Sequence, residues 1–281
     1  MVIDSIPLVV GMAYAIIATL MIVVLLRRGK FNKRVGYVFL VVSTLFGFLV
    51  FAPMLPYQFQ TIILGNTKQL GAPVALAVVV LVAFVVLAFM FGKAFCGYVC
   101  PIGTLQELIY HIPTKKVRIK NKVFPVAFRF VFFVAFIVVA LVSSAGLLKY
   151  LGVRDFFYLD VSSAFFYVFL ALLIISPFLY RPFCRFLCPY GVLLSLAAMK
   201  SRFKLRRNEN CIDCKKCGEI CPTNEAGRTD LKQECYLCNR CKYVCPNNAI
   251  DYTRNQAAKQ QEEVPAELQP TGALTGEGGG S

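Results

Sequence analysis

Histidine is nearly missing from this chain: His111 is the only one among 281 residues, and tryptophan is absent altogether. A bis-histidine haem b therefore cannot be built from this chain alone, and covalent haem is excluded because no C-x-x-C-H occurs. Neither a G-x-G-x-x-G nor a phosphate-loop pattern is present, so no nicotinamide dinucleotide or ATP is expected to bind. No constellation for chemistry on a soluble substrate stands out, and no catalytic residue is assigned. Charge is scarce as well. Charged residues make up 16% of the chain and hydrophobic ones 58%, a balance far from that of a soluble globular domain.

The apolar excess is gathered into five runs almost free of charge: Pro7 to Leu26, Val35 to Phe51, Pro73 to Phe91, Phe124 to Leu148 and Val161 to Tyr180. Each is about long enough for a hydrocarbon core of roughly 30 Å, and none shows the polar face of a buried core helix. Five transmembrane helices are expected. The first is read as a retained span, because Met1 to Ile6 holds no Lys or Arg and carries Asp4, unlike the start of a secretory signal.

The formal net charge of +15 resolves into three short loops without acids. Arg27, Arg28, Lys30, Lys33 and Arg34 form the first; Lys115, Lys116, Arg118, Lys120 and Lys122 the second; Lys200, Arg202, Lys204, Arg206 and Arg207 the third. They follow the first, third and fifth runs, so the positive-inside rule puts the N-terminus outside and everything after Tyr180 in the cytoplasm. The charge is thus expected to anchor topology on anionic lipid, with no nucleic-acid partner.

All twelve cysteines lie in motifs that this topology assigns to the reducing face, where structural disulfides are not expected. Cys211, Cys214, Cys217 and Cys221 precede Pro222, and Cys235, Cys238, Cys241 and Cys245 precede Pro246: C-x2-C-x2-C-x3-C-P twice. This is the bacterial ferredoxin run, in which the fourth cysteine serves the neighbouring cluster. Two [4Fe-4S] clusters are expected, one on Cys211, Cys214, Cys217 and Cys245, the other on Cys235, Cys238, Cys241 and Cys221. Zinc would explain neither the third cysteine nor the proline of each run.

The other four form a different motif, C-x3-C-P, with Cys96 and Cys100 before Pro101 and Cys184 and Cys188 before Pro189. The copies lie 88 residues apart, with Gly103 matching Gly191 and Lys93 matching Arg181, so the membrane core reads as two pseudo-symmetric halves. The spacing leaves three readings open: a third metal or iron-sulfur site, redox thiols, or packing of small residues. Lys93, Arg181 and Arg185 either offset thiolate or cluster charge or snorkel to the interface, the latter being the plainer expectation. Arg129, about 9 Å into the fourth run, is expected to snorkel too. His111 reads as an interfacial surface histidine, or as an acceptor for a quinol proton.

The fold class expected is an all-α integral membrane helical bundle followed by a small α+β two-cluster ferredoxin domain. Residues 1–34 hold the first helix and its basic loop, 35–200 the membrane core, 201–252 the ferredoxin domain and 253–281 a disordered tail whose last residues resemble a linker.

Over roughly residues 35 to 250, the paired C-x3-C-P motifs, several spans and double ferredoxin run make the sequence resemble the NapH/NosR/RdxA group of membrane polyferredoxins. The resemblance implies a membrane-bound electron-transfer subunit between the quinone pool or a cytoplasmic donor and a partner redox protein, placed in the inner membrane of a bacterium or archaeon. It carries the cluster ligands over onto the eight ferredoxin cysteines named above. The extra first span looks like that of flavin-fused members without the flavin domain, so an extracytoplasmic flavin or haem is expected from another subunit. RdxA-like members suggest an alternative, an assembly factor that reduces a metal or disulfide for another redox enzyme.

Overall fold

The computed structural model describes residues 2–50, 55–64, 74–119, 121–143 and 147–254. The segment expected to be a disordered tail lies outside them from residue 255 onward. The chain opens with α1 (Val2–Arg27) and α2 (Lys33–Val50), followed by α3 (Leu55–Ile63) and α4 (Val74–Phe91). Two short helices, α5 (Ala94–Tyr98) and α6 (Pro101–Tyr110), carry the first C-x3-C-P motif. Then come α7 (Val123–Ser143), α8 (Leu147–Tyr150), α9 (Val153–Phe157) and α10 (Ala164–Ile175). A π-helical turn, Phe183–Leu187, and α11 (Pro189–Met199) carry the second motif.

Among the described residues three helical stretches are long and apolar enough to cross a membrane: Val10–Arg27, Lys33–Val50 and Val123–Val142. Of the other two expected spans, α4 has 18 residues, as many as α2, and α10 has 12, about 18 Å at 1.5 Å per residue. The α10 segment is short for a local reason. Ser163 caps its start by accepting from the Phe165 amide, and Pro177 cannot extend the helix beyond Ser176. Outward-facing apolar residues such as Leu49, Val131 and Val142 are 67% or more exposed, as lipid-facing positions would be.

Inside the bundle small and hydroxyl residues allow close packing. The buried face of α2 runs through Gly36, Phe39, Leu40, Ser43, Thr44 and Gly47 and meets α6. A Cβ on Gly47 would lie 2.4 Å from Cβ of Pro101, so only glycine fits there. Thr44 donates to Thr104 at 3.0 Å and Ser43 donates to the Tyr98 carbonyl at 2.8 Å, which ties α2 to the first motif. In the second half α11 packs against α4 and α7, and α7 also packs against the π-helical turn.

After α11 the chain forms strand β1 (Phe203–Arg207), helices α12 (Lys216–Ile220) and α13 (Arg240–Val244), and strand β2 (Ile250–Arg254). The strands pair antiparallel, Phe203 opposite Arg254 and Arg207 opposite Ile250, closing the ferredoxin-type segment at its base. That segment sits on the bundle: Tyr252 donates to the Phe91 carbonyl at 2.8 Å, and Tyr98 donates to the Leu237 carbonyl at 3.1 Å.

Candidate functional site

The two ferredoxin runs adopt the same backbone, 24 residues apart. Asp213 and Leu237 have φ of 49° and 55°, Lys215 and Asn239 have φ of 59° and 57°, and each run then enters a five-residue helix. Cys221 and Cys245 end those helices in matching extended conformations. A left-handed conformation costs a non-glycine residue about 1–2 kcal/mol, and leucine has no side-chain hydrogen bond to offset it. Alternating right- and left-handed residues turn successive amides toward one point, the concave anion nest found at iron-sulfur sites. One zinc ion would have no use for it.

Cys221, Cys235, Cys238 and Cys241 line one small cavity of about 30 Å³, with Pro222 at its wall. These four are the crossed set expected of one cluster. Of the other expected set, Cys217 is buried, Cys211 and Cys245 are half-buried and Cys214 is exposed. These four are linked by the repeated backbone and by the packing of α12 on α13. The donor set fits an iron-sulfur cluster: thiols spread around a space, on two runs with the same left-handed turns. Among the described residues no three Cys, His, Asp or Glu side chains converge on a point suited to a single ion.

The C-x3-C-P cysteines come together from opposite halves of the repeat. Cys96, Cys100, Cys184 and Cys188 line a second, small cavity, of about 20 Å³, with Lys93, Tyr190 and Tyr236 among its other walls. Each motif is split between two elements and does not run along one straight helical face. Cys96 lies on α5 and Cys184 on the π-helical turn, while Cys100 and Cys188 are the N-caps of α6 and α11, with Pro101 and Pro189 at the first helical position. The prolines thus start helices whose positive ends face the thiols. Sγ of Cys188 accepts the Gly191 amide at 3.3 Å. Gly103 is required by the Cys96 carbonyl, which an added Cβ would approach to 2.6 Å.

The cations expected to snorkel are buried instead: Lys93, Arg129, Arg181 and Arg185 are each at most 2% exposed. Acids supplied from distant segments hold them inside. Glu234, just before Cys235, binds Lys93 at 2.9 Å and Arg129 at 2.7 Å, while Glu107 binds Arg181 at 2.8 Å and Arg240 at 2.5 Å. Burial pushes both carboxyls up, but the cations more than offset it and hold each at about 2. Arg129 also reaches the Cys184 carbonyl at 3.4 Å, and Arg181 donates to the carbonyls of Cys96 and Gly97. Four cations, Lys93, Arg129, Arg181 and Arg240, thus share two carboxylates beside the four thiols. Unpaired buried cations are costly, so the arrangement favours an anionic occupant such as ligated thiolates.

The docking of the two parts turns on Gly97, where an added Cβ would lie 2.4 Å from the Tyr236 carbonyl. Gly97→Ala is expected to cost about 1–3 kcal/mol by overpacking and to raise protease sensitivity after residue 200. Gly218→Ala, with nothing within 4 Å of its Cβ, is expected to be neutral in the same assay.

Sequence reasoning named all twelve cysteines as candidates but not Glu107, Glu234 or Tyr236. The two glutamates carried one available signal, as carboxylates beside cysteine motifs otherwise surrounded by Lys and Arg.

A profile described as 4Fe-4S binding domain matches residues 73–120 and 164–208, the two C-x3-C-P halves. The chain is 35% identical over 174 residues to YccM of Escherichia coli (strain K12), which carries a provisional electron-transport name; 56% of this chain and 49% of YccM are covered. It is 32% identical to the uncharacterised protein MJ0749 of Methanocaldococcus jannaschii, covering 58% of this chain and 66% of that one. A match to the regulatory protein NosR of Pseudomonas aeruginosa is 28% identical and covers 45% of this chain and 20% of NosR. The chain therefore spans less than two thirds of each of these relatives. The resemblance to NosR-type proteins read from the motifs is borne out. No solved structure matches the chain.

Proposed function

We propose that this chain is a membrane-bound iron-sulfur subunit that relays electrons between the quinone pool or a cytoplasmic donor and a partner redox protein of a respiratory or energy-converting complex. Two [4Fe-4S] clusters are held by the eight ferredoxin-type cysteines in the crossed sets above, and a third iron-sulfur site by Cys96, Cys100, Cys184 and Cys188. Clusters so bound supply one-electron exchange at potentials set by charge and hydrogen bonds around the sulfurs. The observation that carries the reading is the meeting of four thiols from both halves in one buried, cation-lined cavity. The name of YccM, and the likeness to NosR, agree with it. The basic loops, by the positive-inside rule, put the ferredoxin segment in the cytoplasm and the N-terminus outside. The partner is a further subunit, such as an extracytoplasmic flavin or haem protein.

A third cavity, of about 440 Å³, supports the quinone end of the relay. Phe31 and Leu40 line it on one side, Cys238 of the ferredoxin run on another, with Tyr37 and His111 between. Nδ1 of His111 lies 2.7 Å from the Glu107 carbonyl, so it carries the proton and leaves Nε2 free to accept one. The reduction of a disulfide on another protein is less well supported, because Cys100, Cys184 and Cys188 are buried and out of reach of a protein substrate.

The test is reduction of the purified protein in liposomes. Added quinol is expected to bleach the visible absorbance of the clusters, and His111→Ala to slow that bleaching by about 100-fold while leaving dithionite reduction unchanged. Failure of both quinol and a low-potential soluble donor to reduce the protein would reject the relay.

A further inference from the structure

We propose that Tyr236 is the link through which the second ferredoxin-type site and the C-x3-C-P site exchange electrons, an inference that rests on the third site proposed above. Among the described residues Tyr236 alone walls both cavities, that of Cys221, Cys235, Cys238 and Cys241 and that of the four C-x3-C-P thiols. It is joined by a peptide bond to Cys235, and its carbonyl packs on Gly97, between the two cysteines of the first C-x3-C-P motif. At 3% exposure it is closed off from solvent.

The surroundings of the ring suit an electron passing in either direction. The Lys93 ammonium lies 4.8 Å and the Arg181 guanidinium 4.7 Å from its centroid, so positive charge stands beside the path whichever side is reduced. Among the described residues the phenol's hydrogen-bond contact is a long one, 3.5 Å to Glu234, and the proposal gives it no proton to move. One electron crosses, one side is oxidised by one and the other reduced by one, and no bond forms or breaks. Tyr236 is a positioning residue: it forms the wall common to the two thiol-lined cavities, and it follows the ligand Cys235 in the chain. A hydroxyl is not needed for this. An aromatic ring is.

The experiment uses the full chain in detergent without oxygen, as wild type, Tyr236→Phe and Tyr236→Leu. Iron content and melting temperature report on assembly, and freeze-quench EPR after dithionite mixing reports how fast the C-x3-C-P site follows the ferredoxin sites. Tyr236→Phe is expected to match wild type, and Tyr236→Leu to keep its iron but slow that step by about tenfold or more. Full iron with unchanged kinetics in Tyr236→Leu overturns the link and leaves the third site standing. The unmodified protein supplies a second measurement that no folding defect can confuse. In half-reduced samples the two sites must broaden each other's EPR signals, and magnetically independent signals overturn the link. Wild-type iron at the two-cluster level, with no third signal, rejects the third site itself.

Discussion

Glu234→Gln is expected to cost about 3–5 kcal/mol and to loosen the ferredoxin-type segment from the bundle, because it removes the counter-charge shared by two fully buried cations. Lys93 caps the start of α5 and Arg129 comes from α7, and both meet the carboxylate within 2.9 Å. Ser195 of α11 donates to the same carboxylate at 2.9 Å. One side chain therefore joins both halves of the core to the second ferredoxin run. The loss is read as a lower melting temperature and as faster proteolysis between residues 201 and 254. Lys122→Gln is the control, since the lysine side chain is 49% exposed, though its partner Asp230 is 14% exposed; a pair with one such exposed partner contributes about 0–1 kcal/mol. Equal effects from the two substitutions would show that burial of the Glu234 network is not what holds the parts together.

The second large effect concerns the cavity between the halves. Cys100→Ser combined with Cys188→Ser is expected to remove about four iron atoms per chain and to leave the two ferredoxin-type clusters in place. Both serines remain good N-caps for α6 and α11, so the helices should survive the change. Loss of one signal set with the others intact separates a third cluster from inert packing. If iron, EPR and electron transfer all match wild type, the four thiols serve only to pack.

What was legible in the sequence follows from local physics. Thiol spacing and the following proline are local rules, so the ferredoxin runs, the proline-started helices α6 and α11, and the long apolar helices α1, α2 and α7 could all be read. The repeat at 88 residues was legible too, and both of its copies match the same profile. Arg129 shows where such rules stop. Judged as an arginine in an apolar run it should snorkel, yet its carboxylate partner lies 105 residues further along the chain. Glu107 and Arg181 repeat the case, joined across 74 residues. Span length failed for another reason, since hydropathy continues through Val161 to Tyr180 while Pro177 ends α10 within it. The π-helical turn around Cys184 has no counterpart in α5, so the halves match in their thiols more closely than in their backbone.

The most direct test is iron and acid-labile sulfide analysis of the protein purified without oxygen, with Mössbauer spectra of an iron-57 sample. Three four-iron sites predict about twelve iron and twelve sulfide per chain. Bound zinc, or sulfide near zero with the fold intact, would contradict iron-sulfur ligation by these cysteines and the electron relay with it.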